Sequence, residues 1–224
     1  MRTPRRPAAL FLFVAALLAL PAPARADWLL SFYAGGGATS SNTLTITPPA
    51  GTTVTIPDVE YEGRSFASPI YYGYRAGWTP AGRHLGVEAE FTHAKSIATT
   101  LRSGDLTAFQ LSHGLNFILG NVAYRTSPMC GGRCTFVARG GAGITYPHVE
   151  ATFRGVTTYQ YEYAGLGIQG GAGIELRVLD HWYVVADARL THARVRTDLA
   201  DGGRLAGPFT TRHADIGIGW HSAR

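Results

Sequence analysis

Long hydrophobic runs, charged residues and cysteines are all scarce in this 224-residue sequence: charged residues make up 16% and there are two cysteines. After the first 26 residues no apolar run reaches the roughly 18 residues that a membrane-spanning helix needs, which excludes a helical membrane protein. The charged fraction is also low for a soluble surface, where about 25% is usual. Glycine, in contrast, is abundant with 28 residues. The chain therefore needs a fold that exposes apolar surface without a spanning helix.

The N-terminal segment has the three parts of a secretory signal peptide. A basic start with Arg2, Arg5 and Arg6 is followed by an apolar run over 8–20 and an Ala-x-Ala cleavage site at 24–26. The apolar run is too short to anchor the chain in a membrane. We therefore predict a signal peptide over 1–26 and a single domain over 27–224.

Removal of this leader changes the charge of the chain. Four of the 20 basic residues leave with it and none of the 15 acidic ones, so the formal net charge falls from +5 to +1. The basic character of the whole sequence is thus largely a property of the leader. Nucleic acid is not a predicted partner.

The two cysteines lie close together, in the segment Cys130-Gly-Gly-Arg-Cys134. In an exported chain this spacing predicts a small local disulfide. A redox pair fits less well because the usual Cys-x-x-Cys spacing is absent, and two ligands alone make a poor zinc site.

Apolar and polar residues alternate along most of the mature chain, in segments of about 10 to 14 residues that are typical of transmembrane β-strands. Eight such segments can be counted. The turns near residues 80, 130 and 180 are short, whereas 39–68, 96–107, 151–160 and 197–208 are longer and are predicted to be loops, the first with a short ribbon that pairs 43–47 with 53–56. The fold class predicted is all-β, an eight-stranded antiparallel transmembrane β-barrel in the bacterial outer membrane.

Charged side chains of both signs share the less apolar face of these strands. Because isolated buried charges are costly, we expect them to pair inside a narrow, closed lumen. The periplasmic ends of the apolar face, near the short turns, carry tryptophans, as an interfacial girdle requires. A soluble lipocalin-like barrel has the reverse pattern. The residues predicted to point inward are Arg75, Glu88, Glu90, Arg139, Glu175, Asp187 and Arg189, and the girdle comprises Trp28, Trp78, Trp182 and Trp220.

The fourth strand is predicted to run without interruption over 108–125. In this prediction Phe109, Leu111, Leu115, Phe117 and Leu119 face lipid, with His113 on the same face. Gln110, Ser112 and Asn116 face the lumen. The sequence thus predicts an unusual histidine on the lipid side of the barrel wall.

Several other polar residues also share the parity of the lipid-facing side, near the outer strand ends. Strand register places His93 opposite His113, and His148 opposite Leu111 and diagonal to His113. Three imidazoles and the carboxylate of Glu150 suit Zn, Mn or Fe, and Lys95 suits a phosphate. One alternative is that these side chains only occupy the headgroup layer. A second is that Pro147 bulges the strand and thereby changes the parity of His148 and Glu150.

Several segments resemble a group of proteobacterial outer-membrane barrels that includes rhizobial lipid A oxidase, within the broader OmpA-like group. The resemblance covers roughly residues 67–220. It implies oxygen-dependent oxidation of the proximal glucosamine of lipid A, with His93, His113, His148 and Glu150 holding a divalent metal ion, and with Lys95 and Glu150 in catalysis. It rests on Tyr71-Tyr-Gly-Tyr-Arg75, Phe91-Thr-His-Ala-Lys95, His113-Gly-Leu-Asn116, Gly140-Gly-Ala-Gly143 and Pro147-His-Val-Glu150.

Other functions remain open. A deacylase barrel needs a His-x-Ser pair, but His192 is followed by Arg194 at the position of the serine. A palmitoyltransferase barrel needs an apolar lumen. The main alternative is a non-catalytic surface barrel with a structural or adhesive role. The expected partners are outer-membrane lipid and lipopolysaccharide, dioxygen is the expected co-substrate, and the barrel is expected to be a monomer.

Overall fold

The structure is a computed structural model that describes residues 26–222. The predicted signal peptide therefore lies, except for Ala26, outside the described residues. No helix in the described part of the chain is long and apolar enough to cross a membrane. The strands are β1 (Asp27–Thr39), β2 (Asn42–Thr47), β3 (Val54–Glu62), β4 (Tyr72–Thr79), β5 (Leu85–His93), β6 (Ser96–Thr100), β7 (Leu106–Leu111), β8 (Phe117–Arg125), β9 (Cys134–Thr145), β10 (His148–Phe153), β11 (Val156–Tyr161), β12 (Gly165–Arg177), β13 (Trp182–Asp198) and β14 (Arg204–His221).

Eight antiparallel strands form a closed barrel wall, in the order β1-β4-β5-β8-β9-β12-β13-β14. Pairing of β1 with β14, from Leu29 opposite His221 to Thr39 opposite Thr211, closes the wall. Closure leaves no unpaired strand edge, which is the condition for a β-structure to exist in lipid. The predicted eight-stranded antiparallel barrel is confirmed.

The outer surface of the wall is apolar. Leu30 and Phe32 are each 56% exposed, and Ile216 is 61% exposed. Side chains of this size are stable on an outer face only if lipid covers them. Pairing of Trp28 with Trp78 and of Trp182 with Trp220 places the four tryptophans at one end of the barrel, as predicted.

The lower lumen is filled by a network of ion pairs, which also agrees with the prediction. Arg139 pairs with Glu88 at 2.8 Å, with Glu175 at 3.2 Å and with Asp187 at a shorter distance. Arg75 contacts Glu90 at 3.1 Å. Further members are Arg125, Arg189 and Asp215, with Tyr33, Asn121 and Gln169 as hydrogen-bond partners of the acids. Each buried charge thus has a partner of opposite sign, which offsets its loss of hydration.

Above the wall the chain forms a second body, which we call the outer extension. It consists of β2, β3, β6, β7, β10 and β11 together with the outer ends of β13 and β14. Its interior is a hydrophobic core that includes Leu44, Ile56, Phe109, Phe153 and Phe209. The prediction of loops at 96–107, 151–160 and 197–208 was therefore wrong, because alternating residues in these segments bury one face in this core. The ribbon within 39–68 is confirmed, with Leu44 opposite Ile56.

The predicted fourth strand is broken, and the faces assigned to its apolar residues were wrong. The segment 112–116 separates β7 from β8, with positive φ at Gly114 and Asn116. The five apolar residues assigned to lipid, Phe109, Leu111, Leu115, Phe117 and Leu119, are all buried in the core of the outer extension. The lumen is charged only in its lower part, so the rule of polar residues inside and apolar residues outside does not hold in this upper part.

The predicted disulfide is not present. Cys130 and Cys134 are both free. The neighbouring Cys130 thiol, and to a lesser extent burial, raises the pKa of Cys134. The turn is closed instead by a backbone bridge between Met129 and Cys134.

Candidate functional site

Two breaks in the strands lie at the level where the wall meets the outer extension. β7 and β8 are separated by the bend at 112–116, and β9 and β10 by Tyr146 and Pro147. The two bends hold each other, since Tyr146 donates its N–H to the Asn116 carbonyl at 2.9 Å and His148 donates to the Gly114 carbonyl at 3.2 Å. The Asn116 amide donates to the carbonyls of both His113 and Tyr146. This junction fixes the side chains on its outer face.

Two histidines and one carboxylate converge at this junction. The Nδ1 atoms of His113 and His148 lie 3.2 Å apart. Oε1 of Glu150 lies 3.3 Å from Nδ1 of His148 and 3.7 Å from Nδ1 of His113. We call these residues the triad; the ligand atoms that they offer lie within 4.8 Å of one another. It is open on one side, because the His113 side chain is 44% exposed whereas that of His148 is 2% exposed.

Neighbouring side chains hold the triad in place. The Gln110 amide donates to Oε2 of Glu150 and the Ser112 hydroxyl donates to Oε1, both at short distances. The rings of Tyr159 and Tyr161 cover His148, with centroids at 4.3 and 4.4 Å from its own. Both oxygens of Glu150 therefore have a donor, and water has little access to the His148 ring.

The strand register that builds the triad differs by one residue from the predicted one. Glu150 lies opposite Gln110 in the β7–β10 pair, whereas the predicted register, with His148 opposite Leu111, places Glu150 opposite Phe109. A shift of one residue moves side chains to the other face of a strand. Gln110 and Ser112, which were predicted to face the lumen, consequently contact Glu150 on the outer face.

His93 is not part of the triad. It ends β5 opposite Tyr72, and the two rings stack at 5.0 Å between centroids. Its ring fills the space that a Cβ on Gly114 would need, at 2.6 Å from Cδ2. His93 thus packs beneath the bend that carries His113, and its role as a metal ligand stays a prediction that this geometry does not support.

Lys95 also lies apart from the triad. It is buried, and its ammonium group donates to the Ala67 carbonyl at 2.9 Å. Burial lowers the pKa of Lys95, and the nearby Arg64 lowers it further. A lipid phosphate would have to displace the Ala67 contact, so the predicted phosphate role stays untested.

The donor set of the triad fits a transition-metal ion. Ions with ligand bonds of about 2.0–2.2 Å in tetrahedral geometry hold their ligand atoms about 3.4 Å apart. The three separations in the triad are 3.2, 3.3 and 3.7 Å. Burial lowers the pKa of His148 and the neighbouring His113 lowers it further, while Glu150 raises it. A lowered pKa favours the neutral imidazole, which is the form that binds metal.

Sequence reasoning missed the contacts of Gln110 and Ser112. The available signal was the segment Ser112-His-Gly-Leu-Asn116, because glycine and asparagine are the residues that tolerate positive φ. The odd-numbered residues Phe109, Leu111, Phe117 and Leu119 are buried on both sides of this bend, so the even-numbered Gln110 and Ser112 lie on the outer face.

A closed antiparallel barrel with a lipid-covered outer surface and a plugged lumen defines this chain as a bacterial outer-membrane β-barrel protein. The family model described as "Outer membrane protein beta-barrel domain" matches residues 12–221. The chain belongs to this family.

Solved structures with a similar fold are distant in sequence. Neisserial surface protein A is 8% identical, with 88% of this chain and 98% of that chain covered and a TM-score of 0.42. OprG from Pseudomonas aeruginosa is 13% identical, with coverages of 88% and 96% and a TM-score of 0.43. AlkL is 11% identical, with coverages of 91% and 95% and a TM-score of 0.49. No curated protein matches the chain significantly.

Proposed function

We propose that this protein is a metal-dependent oxidase that acts on lipid A in the outer leaflet. The observation that carries the proposal is the triad of His113, His148 and Glu150 on the outer face of the barrel. Two histidines and one carboxylate that occupy one face of a metal ion form the ligand set of non-haem iron oxygenases. The resemblance of the surrounding segments to lipid A oxidase supplies the substrate class.

The proposed reaction converts the proximal glucosamine of lipid A to an aminogluconate. The anomeric carbon of this sugar carries no phosphate in the substrate, so that the ring can open to the aldehyde form; the aldehyde carbon then takes up the oxygen of a water molecule and becomes a carboxylate. Dioxygen accepts the two electrons and two protons and leaves as hydrogen peroxide. The bound metal ion would supply the redox and Lewis-acid chemistry.

The residues of the chain have separate parts in this proposal. The Nδ1 atoms of His113 and His148 and Oε1 of Glu150 would hold the ion. The Gln110 and Ser112 donors orient the carboxylate, as partners behind a metal ligand commonly do. The exposed side of His113 leaves an approach for the sugar from the membrane surface. Tyr159 and Tyr161 keep water from His148.

Mass spectrometry of lipid A tests the proposal. Cells whose lipid A lacks the anomeric phosphate and that express the protein in air should produce lipid A with one additional oxygen atom, and the same cells without the gene or without oxygen should not. The His113→Ala variant should lose the product while its barrel still migrates as a folded, heat-modifiable band. An unchanged lipid A profile in air, with the folded protein present, would overturn the oxidase proposal.

The second candidate is a non-catalytic surface barrel with a structural or adhesive role. The specific observation in its favour is the outer extension, a folded body with its own hydrophobic core that lies beyond the lipid-covered wall. Such a body presents a rigid surface to the exterior. This candidate predicts normal lipid A in all strains, together with a phenotype that depends on the outer extension and not on the triad.

A further inference from the structure

A groove of about 650 Å³ lies on the outer face of the barrel between β12 and β13, at a different place from the triad. Its lower part is apolar, with Leu166 69% exposed and Ile168 55% exposed. Its upper part carries Arg194 and Arg196, which alternate with buried residues and therefore point outward from β13. The groove thus passes from an apolar to a cationic lining along the direction from membrane to exterior.

The two arginines are not neutralised. Within residues 26–222 neither guanidinium makes an ion pair or a side-chain hydrogen bond, although both side chains are exposed. The third arginine of the groove, Arg204, pairs with Asp198 at 3.0 Å. The Cβ atoms of two arginines that are two residues apart on one strand face lie about 7 Å apart. Their guanidinium groups are therefore close enough to share one anion.

The acidic residues of the groove are occupied. Asp198 accepts from Arg204, as above. Glu162 accepts the backbone N–H of Asp198 at 2.9 Å and the Gln160 amide at 3.0 Å, and it also accepts the Thr197 hydroxyl. These bonds hold the carboxylate at the seam between β11 and β13. Three arginines and two acidic residues line the groove, so its net formal charge is +1.

The backbone also creates the space. Gly165 begins β12 with a φ of 133°, and a Cβ there would meet the Arg194 carbonyl at 2.5 Å. The Arg196 N–H donates to the Ala164 carbonyl at 2.8 Å. The start of β12 is thus held directly against β13, below the two arginine side chains, and the groove has a rigid floor.

We propose that this groove binds the phosphate group of an outer-leaflet glycolipid of the lipid A type, with Arg194 and Arg196 as the charged ligands and an acyl chain against Leu166 and Ile168. Arginine forms paired hydrogen bonds with phosphate, and the attraction is stronger beside lipid than in water. The exposed leucine and isoleucine distinguish this ligand from a free anion, which has no apolar part to cover them.

Binding is tested with the full mature chain in neutral maltoside micelles, without added metal. Lipid A that carries a single phosphate is titrated, and the bound lipid is measured by native mass spectrometry. The Arg194→Gln/Arg196→Gln variant should bind at least tenfold more weakly than the wild type. Chemically dephosphorylated lipid A should bind the wild type as weakly as the phosphorylated lipid binds the variant.

The matched control is Arg102→Gln/Arg133→Gln, which removes the same charge from two exposed arginines outside the groove. It should bind like the wild type. Heat-modifiable migration shows that each variant is folded; if the double variant does not fold, the single variants should each lose at least threefold in affinity. These measurements do not involve turnover, so they stand whether or not the oxidase proposal holds.

Three results would overturn the proposal. The first is equal affinity of the wild type and the double variant for phosphorylated lipid A. The second is equal affinity of the wild type for the phosphorylated and dephosphorylated lipids. The third is competition by glucosamine phosphate or inorganic phosphate at the same concentration as lipid A, which would assign the groove to a soluble anion.

Discussion

Glu150 is the residue of the triad with the most defined surroundings, because each of its carboxylate oxygens accepts a side-chain hydrogen bond. Gln110 serves one oxygen and Ser112 the other. Groups behind a metal ligand fix its orientation, and their loss commonly lowers metal affinity 10- to 100-fold. At the scale of single residues the proposed metal site therefore depends on more than its three ligands.

The Gln110→Leu variant tests this dependence. It removes the donor to Oε2 of Glu150 at similar volume, so we expect metal affinity to fall at least tenfold, roughly the lower end of the range for such partners. Titration calorimetry with zinc or iron(II) measures the change. Gln160→Leu, whose amide serves Glu162 and the Asp198 carbonyl instead, is the control and should bind metal like the wild type.

His93 and His148 give opposite expectations as alanine variants. Because His148 contributes one of the three converging ligand atoms and His93 stacks on Tyr72 outside the triad, His148→Ala should lose the bound metal and His93→Ala should retain it. The metal content per chain after dialysis, measured by elemental mass spectrometry, distinguishes the two expectations. Loss of metal in both folded variants would restore the four-ligand site expected from the sequence.

The element that positions His113 is the bend at 112–116. Gly114 has a φ of 91°, and a Cβ there would lie 2.5 Å from Oδ1 of Asn116 and 2.6 Å from Cδ2 of His93. Any other residue would be strained at this φ and would also displace one of these neighbours. The bend thus couples backbone conformation to the position of the His113 ligand.

Gly114→Ala should therefore damage both stability and metal binding. We expect a loss of about 1–3 kcal/mol from backbone strain, in addition to contact with His93, and weaker metal binding because the His113 ring moves. Urea unfolding in micelles and metal titration measure the two effects. Gly104→Ala is the control, since a Cβ at Gly104 meets nothing within 4 Å.

The wall strands could be predicted from sequence and the outer extension could not, for the same physical reason. Alternation with a period of two reports which face is buried, but not what buries it. In the lower wall, charge inside and lipid outside give a clear contrast. Around Leu115 and Phe117 the interior is apolar, so alternation persists while the meaning of each face changes. The odd-numbered apolar residues therefore face inward on both sides of the bend at Gly114, where polar residues were expected.

The candidate site was predictable only in part, because its residues had to be joined through the bend. His113, His148 and Glu150 stood out as polar residues on a face expected to meet lipid. The position of His93 outside the triad depends on the path of the chain through 94–116, where β6 and β7 intervene. No local pattern in the sequence encodes that path.

At the scale of the whole molecule, the interior has two layers with different physical chemistry. The lower layer consists of paired charges and the upper layer is the hydrophobic core of the outer extension. Both fill the space within the strands, so the protein is built as a solid platform for its outer face. The triad and the phosphate groove both lie on that face, on either side of the segment that carries Tyr161 and Tyr163.

This arrangement makes the stability of the platform depend on the lower layer. Arg139 contacts three acids, Glu88, Glu175 and Asp187, and is almost fully buried. Its replacement by methionine would leave these carboxylates in a site of low polarity with fewer partners, and loss of one member of a buried ion pair costs about 3–5 kcal/mol. Arg154→Met breaks a pair whose side chains are 45% and 41% exposed, and such a surface pair contributes at most about 1 kcal/mol.

Urea unfolding of both variants in micelles should therefore show a large loss of stability for Arg139→Met and almost none for Arg154→Met. Equal losses would mean that the charged lumen does not support the wall, and that the outer extension alone maintains the barrel.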